Sequence, residues 1–229
     1  MNSIKTNAIV LSRIDYGEAD RIITVLTPDQ GKLSMIVKGA RKLKSKLAGG
    51  IELFSINEVT FIKGRGEVNT LVSARMSKNF SNIIKDIERV QTGYDFLKKM
   101  NKNTEPDVSE EYFKVLEVAL VSLNDENINL ELTGLWFDAQ LLSLAGHTPN
   151  LTHDLAGKKL EQDKVYIFDF DSMGFQKNEN GKYSNKEIKL LRLLFAVNNP
   201  VLLKNISDIN KFIEPATQII KYTANSYLA

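Results

Sequence analysis

Residues 21–38 have the sequence RIITVLTPDQGKLSMIVK, in which two runs rich in Ile and Val flank a Pro-Asp-Gln-Gly segment. β-Branched runs favour strands, and glycine supplies the positive φ that a tight reversal needs, so the pattern predicts a β-hairpin. Three more runs of this kind surround it: TNAIVLSR (6–13), INEVTFIK (56–63) and EVNTLVSA (67–74). The sequence therefore predicts five short strands in the first third of the chain.

Five strands within about 75 residues fit a small closed barrel of the OB-fold pattern, whose exposed face and loops bind single strands. An SH3-like barrel fits the spacing nearly as well. The turns between the later runs contain Gly49-Gly50 and Gly64-Arg65-Gly66, and the second of these lacks the spacing and the following helix of a phosphate-binding glycine motif.

The apolar spacing changes to three and four residues after Phe80, which predicts helices. The first predicted helical face contains Ile83, Ile84, Ile87, Val90, Tyr94 and Leu97. Ser109 is a candidate cap for a second helix, and further helices are predicted over about 129–145, 185–197 and 206–227. Pro215 predicts that the last one is kinked or begins afresh there. The predicted class is α+β, with a barrel domain over 1–78 and a helical domain over 79–229.

Composition excludes several classes of protein. The 229 residues include 30 Lys and Arg, 28 Asp and Glu, and no cysteine, which rules out disulfides, thiolate catalysis and cysteine-based metal sites. No stretch approaches the roughly 20 apolar residues that span a bilayer. We therefore expect a soluble, intracellular, cytoplasmic protein that contacts no membrane.

Positive charge is concentrated near the N-terminus. Residues 1–80 contain 13 basic and 7 acidic residues, whereas residues 81–229 contain 17 and 21. No acidic residue lies between Asp29 and Glu52, and this concentration needs either free solvation or a polyanionic partner. The predicted nucleic-acid-binding residues are Lys32, Lys38, Arg41, Lys42, Lys44, Lys46, Lys63 and Arg65. Tyr16, Phe54 and Phe61 are the aromatic candidates for base stacking, although a core position is favoured for Phe61 and Phe54.

Catalytic and metal sites are poorly supported. His147 and His153, with Asp154, match no helical ligand pair, and the segment 169–180 resembles a calcium loop only at Asp169, Asp171 and its glycine. We expect no cofactor, no metal and no enzymatic activity, with a carboxylate-dependent nuclease as the weakest alternative.

Three short blocks of the first 45 residues are YGEADR (16–21), TPDQGKL (27–33) and KGAR (38–41) followed by Lys44-Ser45. Together they resemble the RecO family of bacterial DNA repair proteins, and a weaker likeness extends through LLSLAGHTPNL (141–151). The resemblance implies an N-terminal OB-fold followed by a helical domain with a small inserted zinc ribbon. It also implies binding of single- and double-stranded DNA, annealing of complementary strands, and cooperation with RecR and the single-stranded DNA-binding protein SSB in loading RecA.

One feature departs from the family. Many members carry two pairs of cysteines in the ribbon, whereas this chain has none. The resemblance therefore implies a zinc-free β-hairpin insertion at about 147–183, held by packing around Val165, Ile167, Phe168 and Phe175. An apolar groove near a cation in the helical domain is the expected site for the C-terminal tail of SSB.

The leading hypothesis is a recombination mediator of the RecF pathway that acts without catalysis. An OB-type RNA-binding module and a structural scaffold that binds through its helical half are the alternatives. A strong preference for RNA would favour the first of these, and the absence of salt-sensitive DNA binding would favour the second.

Overall fold

The computed structural model describes residues 3–106, 110–204, 206 and 209–228. The chain forms two compact units, divided between Glu126 and Asn127. The first unit contains the predicted strands and two helices, so it extends past residue 78. The domain boundary expected between residues 78 and 79 stays a prediction. Ser109, the predicted helix cap, lies outside the described residues. Within the described ranges, no helix has the length and apolar character needed to cross a membrane.

The first unit begins with a closed five-stranded barrel in the order β1, β2, β3, β5, β4. The strands are β1 (Ser3–Tyr16), β2 (Asp20–Thr27), β3 (Gly31–Val37), β4 (Ser55–Ile62) and β5 (Val68–Asn79). β3 and β5 are parallel, and the other neighbours are antiparallel. The predicted barrel is confirmed, and it is the OB-fold rather than the SH3-like alternative.

Side chains that point inward, alternating with outward ones along each strand, fill the barrel. The inward residues are mostly aliphatic, and they include Ala8, Val10, Ile23, Val25, Met35, Val37, Val59, Phe61 and Leu71. β1 is long enough to pair with β4 through its first half and with β2 through its second, and a bulge between Val10 and Ser12 separates the two halves. Gly50 packs so closely on β5 that a Cβ there would lie 2.4 Å from the Ala74 Cβ.

Two helices complete the first unit, α1 (Ile87–Asn103) and α2 (Glu110–Asn124). The face predicted for the first helix is partly wrong. Residues 83–85 form a separate 3-10 turn, and Asp86 is the N-cap that starts α1 with a new phase. Ile84, Ile87 and Tyr94 are consequently exposed at 68%, 70% and 51%. The face that packs inward contains Arg89, Gly93, Phe96, Leu97 and Met100.

The second unit contains α3 (Leu130–Leu144), α4 (Asn185–Ala196) and α5 (Asn210–Tyr227). α3 is buried around most of its circumference, as its broad apolar surface predicts. α5 starts five residues before Pro215 and continues through it, so the helix does not begin afresh at the proline.

A small two-stranded sheet lies between α3 and α4 in the sequence, formed by β6 (Tyr166–Asp169) and β7 (Gly174–Lys177). The predicted hairpin is confirmed, but half of its predicted core is wrong. Val165 and Ile167 are partly exposed, because strand alternation turns Tyr166 and Phe168 inward instead. The hairpin core is aromatic, with Tyr166, Phe168, Phe175 and Tyr183 packed edge to face.

Candidate nucleic-acid interface

The basic loop, residues 38–46, follows β3 at one end of the barrel and is fastened to the turn between β1 and β2. The Gly39 N–H donates to Asp20 Oδ1 at 2.7 Å, and the Arg41 N–H donates to the Ala19 carbonyl at 2.9 Å. Gly39 has φ +66°, which a residue with a Cβ rarely adopts. Two segments that are about 20 residues apart in the sequence thereby become one structural feature.

Asp15 also connects the β1–β2 turn with the basic loop. Arg21 Nε donates to Asp15 Oδ1 at 2.8 Å, and Arg41 Nε lies 3.4 Å from Asp15 Oδ2. The Arg21 hydrogen bond lowers the pKa of the Asp15 carboxyl; partial desolvation opposes this, and the charge of Arg41 lowers the pKa further. Asp15 is therefore ionised at neutral pH and orients both guanidinium groups.

Four lysines of the basic loop have free ammonium groups. Lys38, Lys42, Lys44 and Lys46 are all exposed, and within the described ranges none of them forms an ion pair. They line an open depression of about 390 Å³ together with Gly39, Ser45 and Leu47. Lysines clustered without acidic partners attract phosphate groups irrespective of base sequence.

The remaining three predicted cations lie at the other end of the barrel. β3 and β5 run parallel with Ser34 opposite Val68, so the β4–β5 loop with Lys63 and Arg65 lies toward the start of β3. Lys32 is also at that end, about 20 Å from Lys38 along the strand. Its ammonium donates to the Asn101 carbonyl in the last turn of α1 at 2.8 Å, which gives it a role in joining helix and barrel. The predicted cations thus divide into two groups, and their role in DNA binding stays a prediction.

Only one of the three aromatic candidates is accessible. Phe61 is fully buried in the barrel and Phe54 is 4% exposed, whereas Tyr16 is 55% exposed beside the β1–β2 turn. The core positions favoured for the two phenylalanines are confirmed. Tyr16 alone among the three can stack on a base.

The sequence interpretation missed the acidic residues that hold the basic loop. Asp15 and Asp20 lie next to or within YGEADR, and they contact the segment KGAR. Both blocks are among the segments that resemble the RecO family, and this shared resemblance was a signal that the two segments could be in contact. Their contact explains why a loop of like charges keeps a defined conformation.

The second unit contains an apolar groove of about 450 Å³ between α4 and the start of α5. Its described lining consists of Lys186, Lys189, Leu190, Leu193, Ile206, Ile209 and Phe212. The Lys186 ammonium lies 5.4 Å from the centre of the Phe212 ring. An apolar floor with two cations and no carboxylate among these residues suits an apolar, acidic peptide.

The residues weighed as metal ligands are engaged in ordinary turns. Asp169 Oδ1 accepts from the Ser172 N–H at 2.7 Å, and Asp154 Oδ1 accepts from the N–H groups of Ala156 and Lys158. His147 stacks on Tyr227 with ring centres 4.2 Å apart. Across the described residues, no three His, Asp or Glu side chains converge as metal ligands.

Comparison with known families matches both parts of the chain. The family described as "Recombination protein O N terminal" matches residues 1–80, and "Recombination protein O C terminal" matches residues 102–224. Both YGEADR and KGAR fall within the first match.

Curated relatives agree with the family match. The chain is 31% identical over 143 residues to the "DNA repair protein RecO" of Rhodopirellula baltica, covering 62% of this chain and 53% of that protein. It is 31% identical over 182 residues to that of Acetivibrio thermocellus, with 76% and 69% covered. For Alkaliphilus metalliredigens the values are 27% over 209 residues, with 91% and 84% covered.

The first relatives compared are matched over little more than half of their own length, between 53% and 60%. The two family matches nevertheless include most of this sequence, and the second alone extends over more than half of it. The OB-fold barrel lies within the first matched range, and α2, α3, α4 and most of α5 lie within the second. This chain therefore belongs to the RecO family.

Proposed function

We propose that the chain binds single- and double-stranded DNA through the basic loop and acts in DNA repair and recombination as a mediator without catalytic activity. The observation that carries this proposal is the group of four unpaired lysines, held open by the contact of the loop with the β1–β2 turn. The curated relatives are named DNA repair proteins.

Charge neutralisation is the physical basis of the strand annealing that we propose. Two complementary strands repel each other through their phosphates, and a surface with several free ammonium groups lowers that repulsion when both strands approach it. The contacts involve phosphates rather than base edges, so the surface accepts any sequence. We propose that the chain anneals complementary strands in this way.

The groove of the second unit supports a further part of the proposal. The C-terminal tail of SSB is acidic and apolar, and the groove offers Leu190, Leu193 and Phe212 beneath Lys186 and Lys189. We propose that this tail binds there. In the full proposal, the chain then displaces SSB from the DNA strand and, together with RecR, helps to load RecA.

A salt titration tests the DNA-binding proposal. For Lys42→Gln/Lys44→Gln, the slope of log affinity for a single strand against log salt should fall by about 1.4, because each lost phosphate contact removes about 0.7. The annealing rate should fall with it. These two lysines are chosen because Arg41 also anchors the loop.

The matched control is Lys158→Gln/Lys159→Gln, which removes the same charge from two exposed lysines of the second unit. It should leave the slope unchanged. Equal slopes for wild type and both variants would show that the basic loop does not bind phosphate. Competition between DNA and RNA strands of one sequence distinguishes the alternative, since strong RNA preference would contradict a role on DNA.

A further inference from the structure

Leu43 lies at the tip of the basic loop and points into solvent. The Lys42 N–H donates to the Gly39 carbonyl at 3.1 Å, and the Ser45 N–H donates to the Lys42 carbonyl at 2.9 Å, so the loop folds into two successive turns. Leu43 and Lys44 occupy the central positions of the second turn, where Gly, Pro, Asn, Asp and Ser are the usual residues. Leu43 is the most exposed large apolar side chain among the described residues. The turn therefore presents a leucine completely to solvent.

The fold gains nothing from an apolar side chain at this position. Leu47, four residues later, packs against the barrel core, so that leucine has a structural role. A fully exposed leucine buries no surface and contributes no hydrophobic stabilisation. Single exposed apolar residues are common on protein surfaces, so the exposure of Leu43 by itself indicates no ligand. The second observation is charge, because Lys42 and Lys44 adjoin Leu43 on both sides and form no ion pair within the described ranges.

We infer that Leu43 inserts between adjacent base pairs of duplex DNA and selects steps whose stacking is already weakened; this inference rests on the proposed function. A base step is a narrow slot with apolar faces and phosphates along each side, which matches one protruding apolar side chain between cations. Insertion into a matched duplex must first unstack the step, and this cost is similar to the gain from burying a leucine. At a mismatched step much of the cost is absent, so the gain appears as affinity.

Leu43 supplies a discrimination that the lysines cannot supply. Matched and mismatched duplexes carry the same phosphates, so contacts with phosphates do not distinguish them. An inserted side chain responds instead to the stability of the base step. In the annealing that we propose, the protein is consequently retained on imperfectly paired duplexes and leaves fully paired ones more readily.

Two short duplexes that differ only in one central mismatched pair test this inference by fluorescence anisotropy. Wild-type protein should bind the mismatched duplex about tenfold tighter than the matched one, a factor that burial of a leucine side chain can supply. In Leu43→Ser this ratio should fall to about twofold or less, while affinity for the matched duplex and its salt slope stay unchanged. Leu43→Phe should keep the ratio, since phenylalanine also inserts between base steps. Serine suits a turn and replaces an exposed side chain, so the variant should fold.

The matched control is Leu202→Ser, which changes an exposed leucine of the second unit. It should keep the wild-type ratio. A ratio near one for wild-type protein, or an undiminished ratio in Leu43→Ser, would overturn the inference and leave the proposed function intact; a loop tip reserved for a protein partner would give this result. Wild-type protein with no salt-dependent DNA binding would instead overturn the proposed function.

Discussion

At the scale of single residues, Tyr183 is a buried tyrosine whose hydroxyl has no hydrogen-bond partner among the described residues. Its ring packs with Phe168 and Phe175 in the hairpin core. Burial raises the pKa of the phenol to about 12. An unpaired buried hydroxyl gains nothing from its polarity and loses its bonds to water.

We expect Tyr183→Phe to leave the free energy of unfolding unchanged or to raise it by up to about 1 kcal/mol. Because the folded pKa is raised, the neutral phenol is stabilising relative to the ionised one, and this contribution is fully present below the ordinary pKa of about 10. This contribution is lost as the pH rises toward 12. The variant should therefore lose less stability than wild type between neutral pH and about pH 11, measured by urea unfolding.

Tyr166→Phe is the matched comparison. Tyr166 is buried to the same degree in the same cluster, but its hydroxyl accepts from the Glu161 N–H at 2.8 Å. Its replacement should cost about 1 kcal/mol. Equal losses of stability in the two variants would contradict the view that the Tyr183 hydroxyl is unpaired.

At the scale of secondary-structure elements, the basic loop depends on the β1–β2 turn for its conformation. Asp20 Oδ1 accepts the Gly39 N–H at the first bend of the loop. Removing an acidic side chain next to a phosphate-binding loop raises the local positive potential, which by itself strengthens DNA binding. Loss of the hydrogen bond has the opposite effect, because a loop that is not preorganised must be ordered during binding.

We expect the second effect to dominate in Asp20→Ala, with DNA affinity lowered by about two- to tenfold. Asp20→Asn keeps an acceptor oxygen while removing the charge, so its affinity should equal or exceed that of wild type. Fluorescence anisotropy with one oligonucleotide at constant salt measures both. Tighter binding by the alanine variant would show that charge, rather than loop order, controls the interface.

The hairpin of β6 and β7 is stabilised by aromatic packing rather than by hydrogen bonds to a neighbouring turn. A small two-stranded sheet buries little surface, so it needs additional support. In this chain that support is a cluster of four aromatic rings. Gly181 allows the close approach, since a Cβ there would lie 2.4 Å from the backbone of Tyr166.

At the scale of the whole molecule, the uneven distribution of charge lies within the first compact unit and not between the two units. Residues 1–80 contain 13 basic and 7 acidic residues, and residues 81–126 contain 6 and 10. Residues 127–229 contain 11 of each. The acidic excess therefore belongs to the first unit, with α1 and α2, and the second unit is neutral overall.

The two proposed binding sites should act independently, because they share no residue and belong to different units. Lys186→Glu/Lys189→Glu should weaken binding of a synthetic SSB-tail peptide by about tenfold or more and leave DNA affinity within about twofold. Lys42→Gln/Lys44→Gln should do the reverse. Titrations of the full chain with labelled peptide and labelled DNA measure both, and parallel losses in either variant would contradict two separate sites.

Patterns that are local in the chain were sufficient to predict much of this structure. Alternating β-branched residues and glycine turns predicted the five strands, and three- to four-residue spacing predicted the helices. The predicted face of α1 was partly wrong because a single N-cap, Asp86, changes the helical phase. The core of the hairpin was half wrong because Val165 and Ile167 have the apolar character, but not the parity, of inward residues.

The sequence by itself determined the secondary-structure types, the absence of thiol chemistry and the positive charge of the first 80 residues, because these depend on residues close together in the chain. Tertiary structure decided which charges act together. Strand register places Lys63 and Arg65 away from Lys42. Register is set by pairing between distant segments and by which faces are buried, so only the folded chain defines these surfaces.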